Sequence, residues 1–252
     1  MKFVSVSQLL LFFICSCSSN VRLPLTSFES SENRGMGSSD LQFNISKAAR
    51  LKSAQDYRAT PLINTGTQDS TLGYGLNGGL GLADFVDLTW KYNVSGPFFA
   101  GAKLGLWGDP MNKAKAINFS LAVRYSYGIY ITSDEIEGSE VQADPANKVS
   151  RQYLVEFGSS ELEALVGFRV MDMLQLTLGY LKGEYSLHNS FSKGISDEKT
   201  IDGKRKLIHL LTTANFGPFL AQLDLGKSDL TNTEESQKID EFLYGLSFGL
   251  FF

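Results

Sequence analysis

The chain has 252 residues, 43% of them hydrophobic and 20% charged. That is enough apolar material for the core of a single domain and excludes gross disorder. The net charge of -4, with no basic cluster beyond Gly203-Lys204-Arg205-Lys206, excludes a face that would hold nucleic acid. Glycine at 24 and phenylalanine at 18 are high while proline at 6 is low, a mixture suited to long strands with close backbone contacts.

Residues 1–17, MKFVSVSQLLLFFICSC, carry Lys2, an apolar run from Leu9 to Ile14, and then small residues. This is the pattern of a secretory signal, too short to span a bilayer as a helix. Both cysteines, Cys15 and Cys17, lie here, so the exported remainder has none to pair. The stretch Ile14-Cys15-Ser16-Cys17 resembles a bacterial lipobox, although Cys15 departs from its usual pattern. The resemblance implies lipidation of Cys17; ordinary cleavage nearby is the alternative. Residues 18–54 are polar and Ser-rich without sustained periodicity, which predicts a disordered tether, with room for a short helix near SKAARLK.

Over 55–252 the pattern alternates with a period of two, the signature of strands whose successive side chains leave on opposite faces. Val86, Leu88, Trp90, Tyr92 and Val94 share one face against Asp87, Thr89, Lys91 and Asn93. The run 117–131 keeps parity for fifteen residues, with Ile117, Phe119, Leu121, Val123, Tyr125, Tyr127, Ile129 and Ile131 on one face. As a helix it would rise only about 22 Å, short of a hydrocarbon core of about 30 Å. Further alternations fall at 72–82, 98–107, 162–170, 174–180, 219–226 and 242–252. Two more strands are expected at 55–64, where Pro61 interrupts, and at 204–214, where the parity is ambiguous.

These make ten strands, with eight or twelve as alternatives. Short links (ADF, DPMNKAK, MDM, NFGP) alternate with long polar ones at about 133–150, 186–203 and 228–239. Such asymmetry is that of outer-membrane barrels, whose periplasmic turns are short and outer loops long. An even count also places both ends of the chain on the short-turn side. The fold class expected is all-β, a closed antiparallel transmembrane barrel.

Alternation alone does not say which face meets oil. A soluble lipid carrier puts its apolar face inside, and a membrane barrel inverts this. Large side chains from about ten strands would overfill one small lumen, whereas the alternate face is rich in glycine (Gly73, Gly75, Gly79, Gly81, Gly101, Gly105, Gly245, Gly249) and leaves room for charged chains. The ending EFLYGLSFGLFF, with Tyr244, Phe248 and terminal Phe252, resembles the C-terminal signal of bacterial outer-membrane β-barrel proteins. More loosely, YGLNGGLGLADFVDL followed by GAKLGLWG resembles small porin-like barrels. The resemblance implies outer-membrane lipids and the barrel-assembly machinery as partners, in a Gram-negative-type envelope.

With the apolar face outward, Asp87, Lys91, Lys103, Arg124, Glu161, Glu163, Arg169 and Asp224 point into the lumen, four acids against four bases. Close pairing is the least costly way to hold charges away from bulk water. The interior is therefore expected to be mostly filled, with small-solute conductance as the secondary reading.

No nucleophile, metal-ligand or nucleotide motif is present, and no cofactor is expected. Of the two histidines, His188 lies beside Ser190 in an expected outer loop and His209 in the ambiguous strand. The acidic stretch with Asp134, Glu135, Glu137, Glu140 and Asp144 lacks the spacing of a calcium loop and reads as a solvated outer loop. Trp90, Tyr92, Tyr125, Tyr127, Tyr180 and Tyr244 are expected at membrane interfaces. The function read from these features is a structural or surface-interaction barrel; the alternative is a soluble periplasmic lipoprotein barrel that binds an apolar ligand.

Overall fold

A computed structural model describes residues 20–52, 69–138, 149–192, 199–232 and 238–252. These form strands β1 Asn20–Pro24, β2 Ser39–Lys52, β3 Asp69–Ala83, β4 Val86–Asn93, β5 Phe98–Trp107, β6 Asn118–Gly138, β7 Val149–Met171, β8 Leu174–Ser192, β9 Lys199–Phe216, β10 Phe219–Asn232 and β11 Lys238–Phe251. Strands β2 to β11 run antiparallel in chain order, and β2 pairs with both β3 and β11, so ten strands close into a barrel. β1 adds to β2 as an eleventh strand, outside that count. Closure leaves no sheet edge along the paired lengths, which removes the main hazard of an open sheet.

The links separate cleanly by rim. At one rim lie the turns 84–85, 172–173 and 217–218 and the longer link 108–117; Ser39 and Phe252 meet there through paired backbone hydrogen bonds of 3.0 and 2.8 Å. At the other rim β6 to β9, of 18 to 23 residues each, stand far above β4 and β5, of 8 and 10. The expected loops at 133–150 and 186–203 are thus largely continuations of strands, because cross-strand pairing persists to Gly138↔Val149 and to Asn189↔Lys199. Asp134, Glu135 and Glu137 belong to β6, and Glu140 and Asp144 lie outside the described residues.

The expected tether is where the structure departs most from the sequence reading. Residues 39–52 are the first barrel strand, and SKAARLK is its last turn-free stretch rather than a helix. The alternation Leu41, Phe43, Ile45 on the outer face and Gln42, Asn44, Ser46 on the inner face carries it, but the polar inner set hid it among polar neighbours. The strand expected at 55–64 and the signal segment with Cys17 lie outside the described residues.

Before β2 the chain runs through the barrel. β1 starts at the long-loop rim, with Asn20 opposite Lys52, and residues 21 to 35 are almost wholly buried on the way to the short-turn rim. There Gly35 and Gly37, at φ of 88° and 78°, reverse the chain into β2, a conformation that glycine adopts freely. The expectation that the N-terminal segment begins on the short-turn side is therefore corrected: both ends of the ten-strand wall lie there, but the segment leading to it enters from the opposite rim. It could be housed because the inner face carries glycines at its path. A Cβ on Gly81 would lie 1.9 Å from the Gly35 carbonyl oxygen, and one on Gly167 would lie 1.8 Å from Ser31 Oγ.

Candidate functional site

The interior is the site, and it has two layers. In the layer nearer the short turns, parity places Asp87, Lys91, Lys103, Arg124, Glu161, Glu163, Arg169 and Asp224 on the inner face, each at most 5% exposed. They do not pair only among themselves. Arg124 Nη2 lies 2.9 Å from Glu163 Oε2 and 3.8 Å from Glu161 Oε2, and Lys103 Nζ lies 3.1 Å from Asp87 Oδ2. The remaining partners come largely from the inner segment. Arg34 bridges Glu29 at 3.0 Å, Asp87 at 3.1 Å and Asp40. Arg169 grips Glu32 with two nitrogens, one of them at 3.0 Å, a bidentate arrangement that fixes orientation as well as charge.

The segment's backbone is held as firmly as its side chains. Lys91 Nζ donates to the Thr26 carbonyl at 3.0 Å, and Lys103 Nζ donates to those of Ser30 and Glu32 at 3.3 and 2.8 Å. Asp224 accepts the Ser27 and Phe28 amides at 3.0 and 3.4 Å, while Ser27 Oγ donates to Glu163 at 2.9 Å. These contacts reach the segment from β4, β5, β7 and β10, so it sits on the barrel axis rather than along one wall. An extended buried chain has unpaired amides and carbonyls, and charged wall residues satisfy them here.

Sequence reasoning missed Glu29, Glu32, Arg34 and Asp40, assigned to the tether, and Arg205; His209, read as a lumen or interface residue, is buried inside. Arg205 faces inward to Glu161 while Lys204 and Lys206 face out. Alternation within the short basic run was the available signal. Among the described residues, seven buried carboxylates face six buried Lys and Arg side chains, with His209 as the remaining basic group. His209 Nδ1 lies 2.8 Å from Asp224 and Nε2 lies 2.9 Å from Glu163. Donating to both requires an N–H on each ring nitrogen, which only the imidazolium carries. Ser27, Glu163, His209 and Asp224 thus form one continuous buried hydrogen-bonded chain. His188 instead pairs across strands with Thr200 at 2.9 Å.

Toward the long-loop rim the interior turns apolar. Val21, Leu23 and Leu25 of the inner segment pack with Phe99, Val155, Phe157, Leu181, Tyr185, Leu187, Leu207, Leu230 and Leu243, all at most 4% exposed. Outside, the order is reversed. Leu176, Leu178 and Tyr180 of β8 are exposed beside the short-turn half, followed by exposed Lys182 and Glu184. On β9 exposed Ile208 and Leu210 give way to Lys206 and Lys204, and on β10 and β11 Lys227 and Asp240 mark the same transition.

On the outer wall of β6, Phe119, Tyr125, Tyr127, Ile129 and Ile131 are 49 to 66% exposed. From Phe119 to Ile131 the rise along a strand tilted by about 40° is roughly 30 Å. Phe85, Trp107, Phe216, Phe219 and Phe252 are exposed near the short-turn rim, a girdle that sequence reading did not assemble. Tyr180 and Tyr244 are exposed on the wall; Trp90 and Tyr92 are only half-exposed. Tyr244 and Phe248 of the terminal strand face outward, and Phe252, just past its end, is exposed.

The fold and its surfaces define a closed β-barrel, apolar outside and ionic inside over one half. No family model matches this chain, and no curated protein matches it. Among solved structures it is similar to the N-terminal β-barrel domain of Pseudomonas aeruginosa OprF, with 14% identity and a TM-score of 0.35 over 86% of this chain and 99% of that one. So distant a likeness assigns neither an activity nor a residue.

Proposed function

We propose that the chain is an outer-membrane β-barrel of structural or surface-interaction role whose lumen is filled by its own N-terminal segment and conducts little or nothing. The observation that carries this reading is the inversion of the short-turn half: exposed apolar side chains around the wall, buried ions within. Water outside such a wall would meet a continuous apolar belt far larger than soluble monomers expose, whereas acyl chains would meet it at no cost. The long-loop rim faces the exterior, as in other barrels with short periplasmic turns. The outward Tyr244, Phe248 and Phe252 are the residues that the assembly machinery would read, and Cys17 is the residue that lipidation would modify.

Filling at mid-depth is supported by a void of only about 10 Å³ beside Phe28, Glu29, Arg34 and Gln222, no more than one water occupies; a pocket of about 270 Å³ lies at the short-turn rim beside Arg169, Asp172 and Asn215. A soluble carrier of an apolar ligand would need an apolar cavity. The apolar interior here is taken by Val21, Leu23 and Leu25.

The test is a planar-bilayer recording on the detergent-extracted, heat-modifiable barrel. The expected result is a quiet membrane, with steps appearing in Gly167→Val, whose side chain would displace Ser31. Steady, ion-selective steps from the unsubstituted chain would overturn the sealed interior, and extraction from membranes without detergent would overturn the barrel's placement.

A further inference from the structure

The inner segment has a direction, and the direction carries a consequence. β1 pairs with the last residues of β2, Asn20 opposite Lys52 and Pro24 opposite Ala48, on the edge that β11 leaves free beyond Gly245↔Ser46. The Arg22 amide donates to the Ser95 carbonyl, 2.9 Å away in the β4–β5 link at the long-loop rim. From there contacts descend in chain order: the Leu25 amide to the Lys47 carbonyl, Ser27 to Glu163, Ser31 to Ser120, and Glu32 to Arg169 near the β7–β8 turn.

The composition of the segment matches this path. Val21, Leu23 and Leu25 lie in the apolar layer, and Ser27 to Arg34 lie in the ionic one. Reversing the segment would place Glu29, Glu32 and Arg34 among Phe157, Leu187 and Leu230, at the cost of unpaired buried charge. Only one orientation is therefore compatible with both layers.

We infer that Asn20, where the inner segment begins, stands at the cell exterior on the same side as the long loops, so that this segment is threaded through the lumen from the outside inward. This deepens the function proposed above and rests on its assignment of the long-loop rim to the outside.

The experiment places a protease-cleavable epitope tag immediately before Asn20 in the full-length chain, with control insertions in 139–148 and at the 217–218 turn, and treats intact cells with the protease. Loss of the tag before Asn20 together with the one in 139–148, and retention at 217–218, is the expected result. Retention before Asn20 with loss in 139–148 would overturn the exterior placement of Asn20 while leaving the oriented barrel intact. Loss only at 217–218 would overturn the orientation itself. Should the tagged chain fail to assemble, Asn20→Cys labelled by a membrane-impermeant maleimide, against the unsubstituted chain as background, reads the same topology. Labelling of intact cells supports the inference, and labelling only after permeabilisation overturns it.

Discussion

The short-turn half and the long-loop half of this barrel share strands β6 to β9 and the alternation of side chains along them, yet they distribute polarity in opposite ways. In the first, Leu178 and Phe119 face out and Glu163 and Arg169 face in; in the second, Lys182 and Glu184 face out and Phe157 and Leu207 face in. Geometry is common to both, so on the function proposed above the difference lies in the solvent each wall would meet. Where the wall meets hydrocarbon, burying apolar groups inside gains nothing over leaving them outside, and polar groups must be satisfied within. Where it meets water, the ordinary hydrophobic effect applies and an apolar core drives packing. The inner segment changes character at the same level, and so joins the two halves.

The comparison breaks most sharply at the ion network. Asp87→Leu removes the carboxylate that Lys103 pairs with and one of three around Arg34, and should cost about 3–5 kcal/mol, read as a lower urea midpoint for the refolded barrel. An unchanged midpoint would mean that the ions contribute no cohesion. In the water-facing half, Leu207→Ala should cost about 2–5 kcal/mol as a cavity in a close-packed core, by the same unfolding measurement. A loss well under 1 kcal/mol would show that this apolar layer is loosely packed.

The outer wall gives a paired test. Leu178→Lys should cost about 2–4 kcal/mol when measured in lipid vesicles, whereas Glu184→Lys, six residues along the same face, should stay within about 0.5 kcal/mol. Equal effects would erase the boundary between the halves. The smallest effect is at the short-turn rim, where Asp84 accepts a hydrogen bond from Lys113 Nζ at 2.6 Å and another from the Met36 amide at 3.3 Å. Its carboxyl is held below the ordinary range, first by Lys113 and then by the Met36 amide. The contribution is present above an ordinary carboxylate pKa of about 4 and is lost as the pH falls through the depressed value. Asp84→Asn should therefore unfold slightly earlier at neutral pH, with the difference vanishing in acid; a difference that persists in acid would assign the effect to packing instead.

Much of the wall is legible in the sequence because period-two alternation and short turns are local. The eight inward charges follow from parity alone. Two failures have one cause. The parity of 204–214 looked ambiguous because the apolar face changes sides there, with Lys204 and Lys206 outward before Ile208 and Leu210, and Arg205 inward before Leu207. Residues 18–54 looked like a tether because a strand with a polar inner face and a chain threaded through a polar lumen both lack the apolar content that marks packed structure in soluble proteins. Serines and carboxylates such as Ser27, Ser31, Glu29 and Glu32 are core residues only in an interior made of ions.

The sequence by itself determined the strand alternation over most of the wall, the link asymmetry and the side on which the charges of β4 to β8 and β10 stand, since each follows from the covalent order and the pleat of a single strand. Tertiary structure alone decided that Glu32 meets Arg169 and Arg34 meets Asp87, that β1 takes the edge of β2, and which rim the chain enters. Those depend on closing ten strands around an axis, which brings residues 53 and 137 positions apart into contact, and nothing local encodes that distance.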